Sequence, residues 1–224
     1  MALKNKLIVT LLAALLTAPA IQAHNGPHGS LPGGFPQVLF ETTQGEFIVE
    51  LEASRAPLTV RHFLQLVEAD HYDATIFHRV IKDFVVQGGS HTIEMQTKDE
   101  APAVVNESGN GLSNERGTIA MARTDDPHSA TASFYINLKN NSGLDPRSER
   151  WGYTVFGNVI EGMETIDKIA AAPTGPAGPF AGDVPSLPVL IKSARKLSVQ
   201  EIADRAKAAR EAAEAELKAL EESQ

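Results

Sequence analysis

The chain has 224 residues, 42% of them apolar, which suits one globular domain with appendages. Its net charge of −8 argues against the basic face that non-specific binding to nucleic acid or anionic lipid requires. With no cysteine it has no disulfide, no thiol nucleophile and no thiolate-ligated metal.

Residues 1–23 read as an export signal: Lys4 and Lys6, an apolar run over residues 7–16, then Ala18, Ala20 and Ala23 as small-residue cleavage positions. The run is short for a membrane span. A cleaved signal predicts a chain free of the membrane in a periplasm-like space; an uncleaved anchor is the alternative. Residues 24–37, rich in Gly, Pro, His and Asn, read as a flexible lead-in.

A compact domain is expected over residues 38–197. Two β-rich runs flank Gln44-Gly45 and predict a hairpin. In the second run Phe47, Val49 and Leu51 alternate with Glu46, Ile48 and Glu50, giving one core face and one face mostly for water. Pro57 fits the first turn of a helix on which Val60, Phe63, Leu64 and Val67 share a stripe. Residues 75–87 return to strand character with a break near Lys82-Asp83, and residues 91–115 read as a long irregular loop. Further strands are expected at 117–122, 133–138, 153–160 and 187–195, and a short helix carries Met163, Ile166 and Ile169. Residues 174–185 read as a Gly/Pro loop. Many short strands with two helices mean a mainly β domain, a barrel or a sandwich.

Residues 198–224 differ. Ser198 followed by Glu201 is a capping-box pattern, and an Ala-, Glu-, Lys- and Arg-rich amphipathic helix follows. Its thin apolar seam (Val199, Ile202, Ala206, Ala209, Ala213, Leu217, Leu220) leaves two readings: a helix lying on the domain or in solvent, or self-association with a second chain.

No phosphate-binding loop, dinucleotide fingerprint, His-Glu-x-x-His or Gly-x-Ser-x-Gly motif occurs. His62, His71, His78, His91 and His128 lack ligand spacing, so neither a metal nor another cofactor is expected. The segment Phe77-His78-Arg79-Val80-Ile81 leading to Phe84-Val85-Val86-Gln87-Gly88-Gly89 is the specific one. It resembles the signature of the cyclophilin-type peptidyl-prolyl cis–trans isomerases in their bacterial periplasmic form. Gly117-Thr118-Ile119-Ala120-Met121-Ala122-Arg123-Thr124, Ser133-Phe134-Tyr135-Ile136 and Val155-Phe156-Gly157-Asn158-Val159 with Gly162-Met163 are similar to three further blocks of that family, in the same order.

The resemblance implies a closed eight-stranded antiparallel β-barrel capped by two α-helices, with the helical tail outside the family domain. It implies an active groove on the outside of the barrel and X-Pro bonds of polypeptides as substrate. Arg79, Phe84 and Gln87 are then catalytic, and Val85, Ala122, Arg123, Ser133, Tyr135, Leu144 and Tyr153 bind substrate. A twisted amide frees the lone pair of the prolyl nitrogen, and a fixed cationic donor such as Arg79 favours that state over either planar form.

Several positions depart from the family pattern. Val85 stands for methionine, Ser133 for glutamine, Tyr135 for phenylalanine, and Gly143 for an aromatic that supports cyclosporin binding when it is tryptophan. Tyr153 stands where many relatives carry histidine. Two function classes follow: an active isomerase for exported proteins, or a catalytically weakened peptide-binding module or chaperone on the same fold.

Overall fold

The first hairpin forms as β1 (Gln37–Thr42) and β2 (Gly45–Leu51), in a computed structural model that describes residues 35–98 and 101–222. The Thr42 hydroxyl accepts from the Gln44 N–H at 3.0 Å and donates to the Gly45 carbonyl at 2.7 Å, which closes the turn locally. The signal segment and the lead-in up to residue 34 lie outside the described residues.

After the hairpin come α1 (Pro57–Glu68), β3 (Arg79–Ile81), β4 (Val85–Gly88), β5 (Thr118–Met121), β6 (Phe134–Asn137) and β7 (Val155–Glu161). Then follow α2 (Met163–Ala170), β8 (Thr174–Ala177), β9 (Phe180–Pro185), β10 (Ile191–Lys196) and α3 (Val199–Glu222). Eight strands form one antiparallel sheet in the order β10-β1-β2-β7-β5-β6-β4-β3. The sheet curls around a core in which Phe40, Phe47, Phe63, Tyr72, Phe77, Phe134 and Phe156 are all buried. Side chains fill the inside of such a small barrel and leave no room for a ligand. Val60, Phe63, Leu66 and Val67 of α1 and Ile166 and Ile169 of α2 join this core, while Leu64 sits half-buried at its margin.

The barrel is bridged at one seam and not continuously closed. The end strands β3 and β10 share no ladder, because β3 is three residues long and lies against β9. The segment just before β3 makes the bridge instead. The Ala74 N–H donates to the Ile191 carbonyl (2.9 Å), the Ile191 N–H to the Thr75 carbonyl (2.8 Å) and the Phe77 N–H to the Val189 carbonyl (3.0 Å).

Two expectations need correction. Residues 174–185 are a hairpin of β8 and β9, with Gly175 opposite Val184 and Ala177 opposite Phe180. Its prolines signal a loop in the sequence, yet an edge ribbon tolerates a missing N–H. The outer face of the first hairpin is also not left to water. Ile48 and Leu39 are buried there under Leu197, and Ile202 of α3 packs on them.

That contact places α3. The capping box is formed: the Ser198 N–H donates to Glu201 Oε2 (2.8 Å) and the Glu201 N–H to Ser198 Oγ (3.2 Å). Arg205 pairs with Glu161 of β7 at 3.1 Å. Beyond this, residues 206–222 are exposed along the whole helix.

Hydrogen bonds from the Ser198 backbone and hydroxyl, then from Arg195, hold the Glu201 carboxyl down at about 2 from an ordinary 4.5. A depressed carboxylate stabilises the folded form above its unfolded value and stops doing so as pH falls through its folded value. The helix start should therefore loosen between about pH 4.5 and about pH 2. Carboxyl NMR shifts should show Glu201 titrating near the lower value, and Ser198→Ala should move that midpoint up toward the upper one.

Candidate active site

Register explains why one stretch of sequence supplies both an arginine and a glutamine. In the β3–β4 hairpin Arg79 lies opposite Gln87, while Val80 lies opposite Val86. The two valines are buried in the barrel core, so alternation turns Arg79 and Gln87 to the outer face. The same outer row continues across the sheet. Gln87 is opposite Tyr135 of β6, Tyr135 is opposite Ala120 of β5, and Ala120 is opposite Val155 of β7. One cross-strand row on five strands thus forms the floor of a groove outside the barrel.

Gly88-Gly89 ends β4 tightly. Gly89 has φ +89°, and a Cβ there would lie 2.8 Å from ring atoms of both Phe134 and Tyr72. Only glycine lets the chain pass these core rings in that conformation.

At the polar end, Arg79 Nη1 donates to Gln87 Oε1 at 3.3 Å. Since a guanidinium only donates, this contact fixes the orientation of the glutamine amide. Its Nε2 then faces Ser133 Oγ and His78 Nε2, each at 3.4 Å. Ser133 is therefore within reach of Gln87 and also donates to the Gly88 carbonyl at 3.3 Å. Burial, then the nearby charges of His91 and Arg79, lower His78 to about 3. A neutral imidazole is left beside the amide at ordinary pH and accepts from it.

At the apolar end, Val85, Ala120, Tyr135 and Val155 form a cluster separate from the barrel core. Phe84, Leu112, Ala122, Leu144 and Tyr153 pack against it, half-buried. The Arg123 guanidinium lies 4.6 Å from the centre of the Tyr153 ring and donates to the carbonyls of Trp151 (2.9 Å) and Gly152 (3.2 Å). All the residues expected to bind or act on substrate therefore converge on one outer surface. Leu112 was not anticipated, since it sits in a polar loop without periodicity.

Nor was the polar layer under this cluster. The Tyr135 hydroxyl donates to Asn114 Oδ1 at 2.7 Å, and the Asn137 amide donates to the same oxygen at 3.2 Å. Asn114 donates through both its N–H and its side-chain amide to Asp145 Oδ1, at 2.8 Å each. The Asn141 amide donates to Asn137 Oδ1 (2.7 Å) and to the Phe84 carbonyl (2.9 Å). Burial, then Tyr153 and Asp145, push the Tyr135 hydroxyl well above its ordinary value, so it stays a donor.

Known proteins match this chain closely. The family model for cyclophilin type peptidyl-prolyl cis-trans isomerase/CLD matches residues 37–196. The chain belongs to the cyclophilin family of peptidyl-prolyl cis–trans isomerases. Peptidyl-prolyl cis-trans isomerase A of Dickeya dadantii is 42% identical over 188 residues, 84% of this chain and 94% of that protein. A peptidyl-prolyl cis-trans isomerase of Streptomyces antibioticus is 48% identical over 163 residues, 71% of this chain and 98% of its own. A Cryptosporidium parvum cyclophilin crystal structure superposes with a TM-score of 0.58 at 25% identity, over 73% of this chain and 98% of that one. The same protein crystallised in the presence of the dipeptide Ala-Pro gives a TM-score of 0.56, also at 25% identity, over 72% of this chain and 99% of that one. The activity is isomerisation of X-Pro peptide bonds.

The Asn114 layer yields a contrast. Asn114→Ala strands the buried Tyr135 hydroxyl and should cost about 2–3 kcal/mol in urea unfolding. Tyr135→Phe leaves Asn114 Oδ1 its Asn137 donor and should cost within about 1 kcal/mol.

Proposed function

We propose that Arg79 is the catalytic donor of this isomerase and that the groove between Phe84 and Arg123 holds the proline-containing polypeptide. The observation that carries the reading is the Arg79–Gln87 pair, fixed across one hairpin beside an apolar cluster. An X-Pro bond resists rotation by about 18–20 kcal/mol while its two planar wells are close in energy. No bond has to break. As the amide twists, its nitrogen becomes pyramidal and accepts a hydrogen bond that neither ground state accepts. A guanidinium keeps its charge and direction, so a hydrogen bond from Arg79 is strongest at the transition state. One preorganised donor of this kind is worth about 3–4 kcal/mol.

The other roles follow from the chemistry of each side chain. Phe84, Val85, Tyr135 and Leu144 offer an apolar seat for the prolyl ring. Gln87 holds the substrate backbone, with Ser133 and His78 fixing its amide. Ala122, Arg123 and Tyr153 line the groove beside it. The Ala-Pro dipeptide used with the Cryptosporidium parvum neighbour fits this class of substrate. Gly143 lies in an exposed 3₁₀ turn, Ser142–Leu144, and has no side chain where an aromatic supports cyclosporin in the family, which supports weak cyclosporin affinity.

The sequence of residues 1–23 supports export to a periplasm-like space, where the substrates are polypeptides still folding. A chaperone action, holding unfolded chains in the same groove without turnover, is favoured by the smaller Val85 and Ser133. The exposed seam of Ala206, Ala209, Ala213 and Leu217 on α3 supports pairing with a second copy. Light scattering should then give a dimer mass for the full chain and a monomer mass once residues 198–224 are removed.

Arg79 is half-exposed, so its removal leaves the core untouched. Arg79→Ala should lower kcat/KM on an X-Pro peptide about 100-fold or more, with unfolding unchanged. Equal rates for the two proteins would sink the assignment. If Arg79→Ala still suppresses aggregation of an unfolded client, binding and catalysis separate at this residue.

A further inference from the structure

The hairpin of β8 and β9 is not a bystander to the groove. Phe180 at the start of β9 stacks on His78, with ring centres 5.4 Å apart, and meets His91 edge-on at 5.1 Å. His78 and His91 are themselves 4.4 Å apart. This three-ring contact fixes the hairpin against the strand that carries Arg79. Asp183, further along β9, then brings Oδ2 to 3.9 Å from Arg79 Nε. Asp183 adopts φ +65°, a left-handed backbone conformation uncommon outside glycine and better tolerated by Asp and Asn than by most residues. Gln87 engages the guanidinium from the other side, through Nη1. The third nitrogen, Nη2, has no hydrogen-bond partner among the described residues.

We propose that Asp183 is a positioning residue for Arg79: it holds the Nε edge while Gln87 holds Nη1, so that Nη2 is the donor left for the prolyl nitrogen. The proposal rests on the assignment of Arg79 as catalytic donor. An unrestrained arginine side chain spreads over many rotamers, and a donor that must meet a pyramidal nitrogen gains from being confined beforehand. Two contacts on different nitrogens confine the fork more than one does, the Gln87 contact as a hydrogen bond and the Asp183 contact as charge attraction at 3.9 Å. The pair is exposed at 39% and 48% of its two side chains, so its influence is moderate and screened by salt.

The test is Asp183→Asn, chosen because asparagine tolerates the left-handed backbone and keeps the size of the side chain. Rates on an X-Pro peptide are measured by NMR exchange at low and high salt, in wild type, Asp183→Asn, Arg79→Ala and the double variant. At low salt Asp183→Asn should lower kcat about two- to fivefold, with KM unchanged. Added salt should bring wild type down toward the variant and leave the variant flat. In the Arg79→Ala background, Asp183→Asn should change nothing further, whereas a purely structural role would persist there. Phe180→Ala, which frees the hairpin, should lower kcat in the same direction. An Asp183→Asn enzyme as fast as wild type at low salt, or faster, overturns the proposal, as does a loss carried by KM or one that survives in the double variant. If Arg79→Ala itself runs at the wild-type rate, the catalytic assignment of Arg79 fails first and Asp183 has nothing to position.

Discussion

In an antiparallel sheet a slip of one residue exchanges the two faces of a strand. Both the core and the groove of this protein depend on that not happening in β3, β4 and β6. Val80, Val86, Phe134 and Ile136 point inward and are buried together, while Arg79, Gln87 and Tyr135 stand next to them in sequence and line up outside. The energy that fixes the register comes from the inward set, since burying a large apolar side chain is worth about 1.5–3 kcal/mol. The outward set inherits its alignment from that packing. A 3.3 Å contact between two half-exposed side chains is weak as a stabiliser, yet it is reliably placed because the strands beneath it have no alternative pairing of comparable burial.

The glycines and the hairpin turn complete the constraint. Gly89 lets β4 end against Phe134 and Tyr72 without displacing them, and Asp83, at φ +56°, turns the chain between β3 and β4. The turn leaves Phe84 half-buried, with its carbonyl bound to the Leu138 N–H at 2.9 Å and to the Asn141 amide. An aromatic at the rim of the groove is thus tied to the same buried amide layer that satisfies Tyr135.

Much of this was legible in the sequence, for reasons that differ by residue. The β1–β2 hairpin, α1 and the capping box of α3 carry local signals: alternation, a proline at a first turn, Ser198 three residues before Glu201. The nearness of Arg79 to Gln87 was legible because both lie on one short stretch of sequence that folds as a hairpin. Leu112, Asn114 and Asn141 were not, since each lies in irregular chain and meets partners far along it, Tyr135 being 21 residues from Asn114 and Phe84 57 residues from Asn141. The β8–β9 hairpin was masked by Gly and Pro, which signal a turn equally well in a loop and in an edge ribbon. The burial of Ile48 was illegible for a related reason. Alternation identifies two faces but not what covers the second, and here Ile202 does, more than 150 residues later.

The substitutions in the groove fall where the architecture can absorb them. The cluster of Val85, Ala120, Tyr135 and Val155 is separate from the barrel core, so a change of volume there leaves the packing of Phe40, Phe63 and Phe134 alone. Tyr135 adds a buried hydroxyl to an apolar wall, a change that costs about 1–3 kcal/mol if left unpaired. It is not left unpaired, because Asn114 presents an oxygen 2.7 Å away. Ser133, shorter than the residue the family pattern has there, still meets Gln87. What these positions exchange is the volume and polarity of the apolar cluster beside Gln87. The Arg79–Gln87 pair is held by a register these positions do not touch. A change of volume in that cluster therefore reshapes the apolar part of the outer surface while the Arg79–Gln87 pair stays where the sheet puts it.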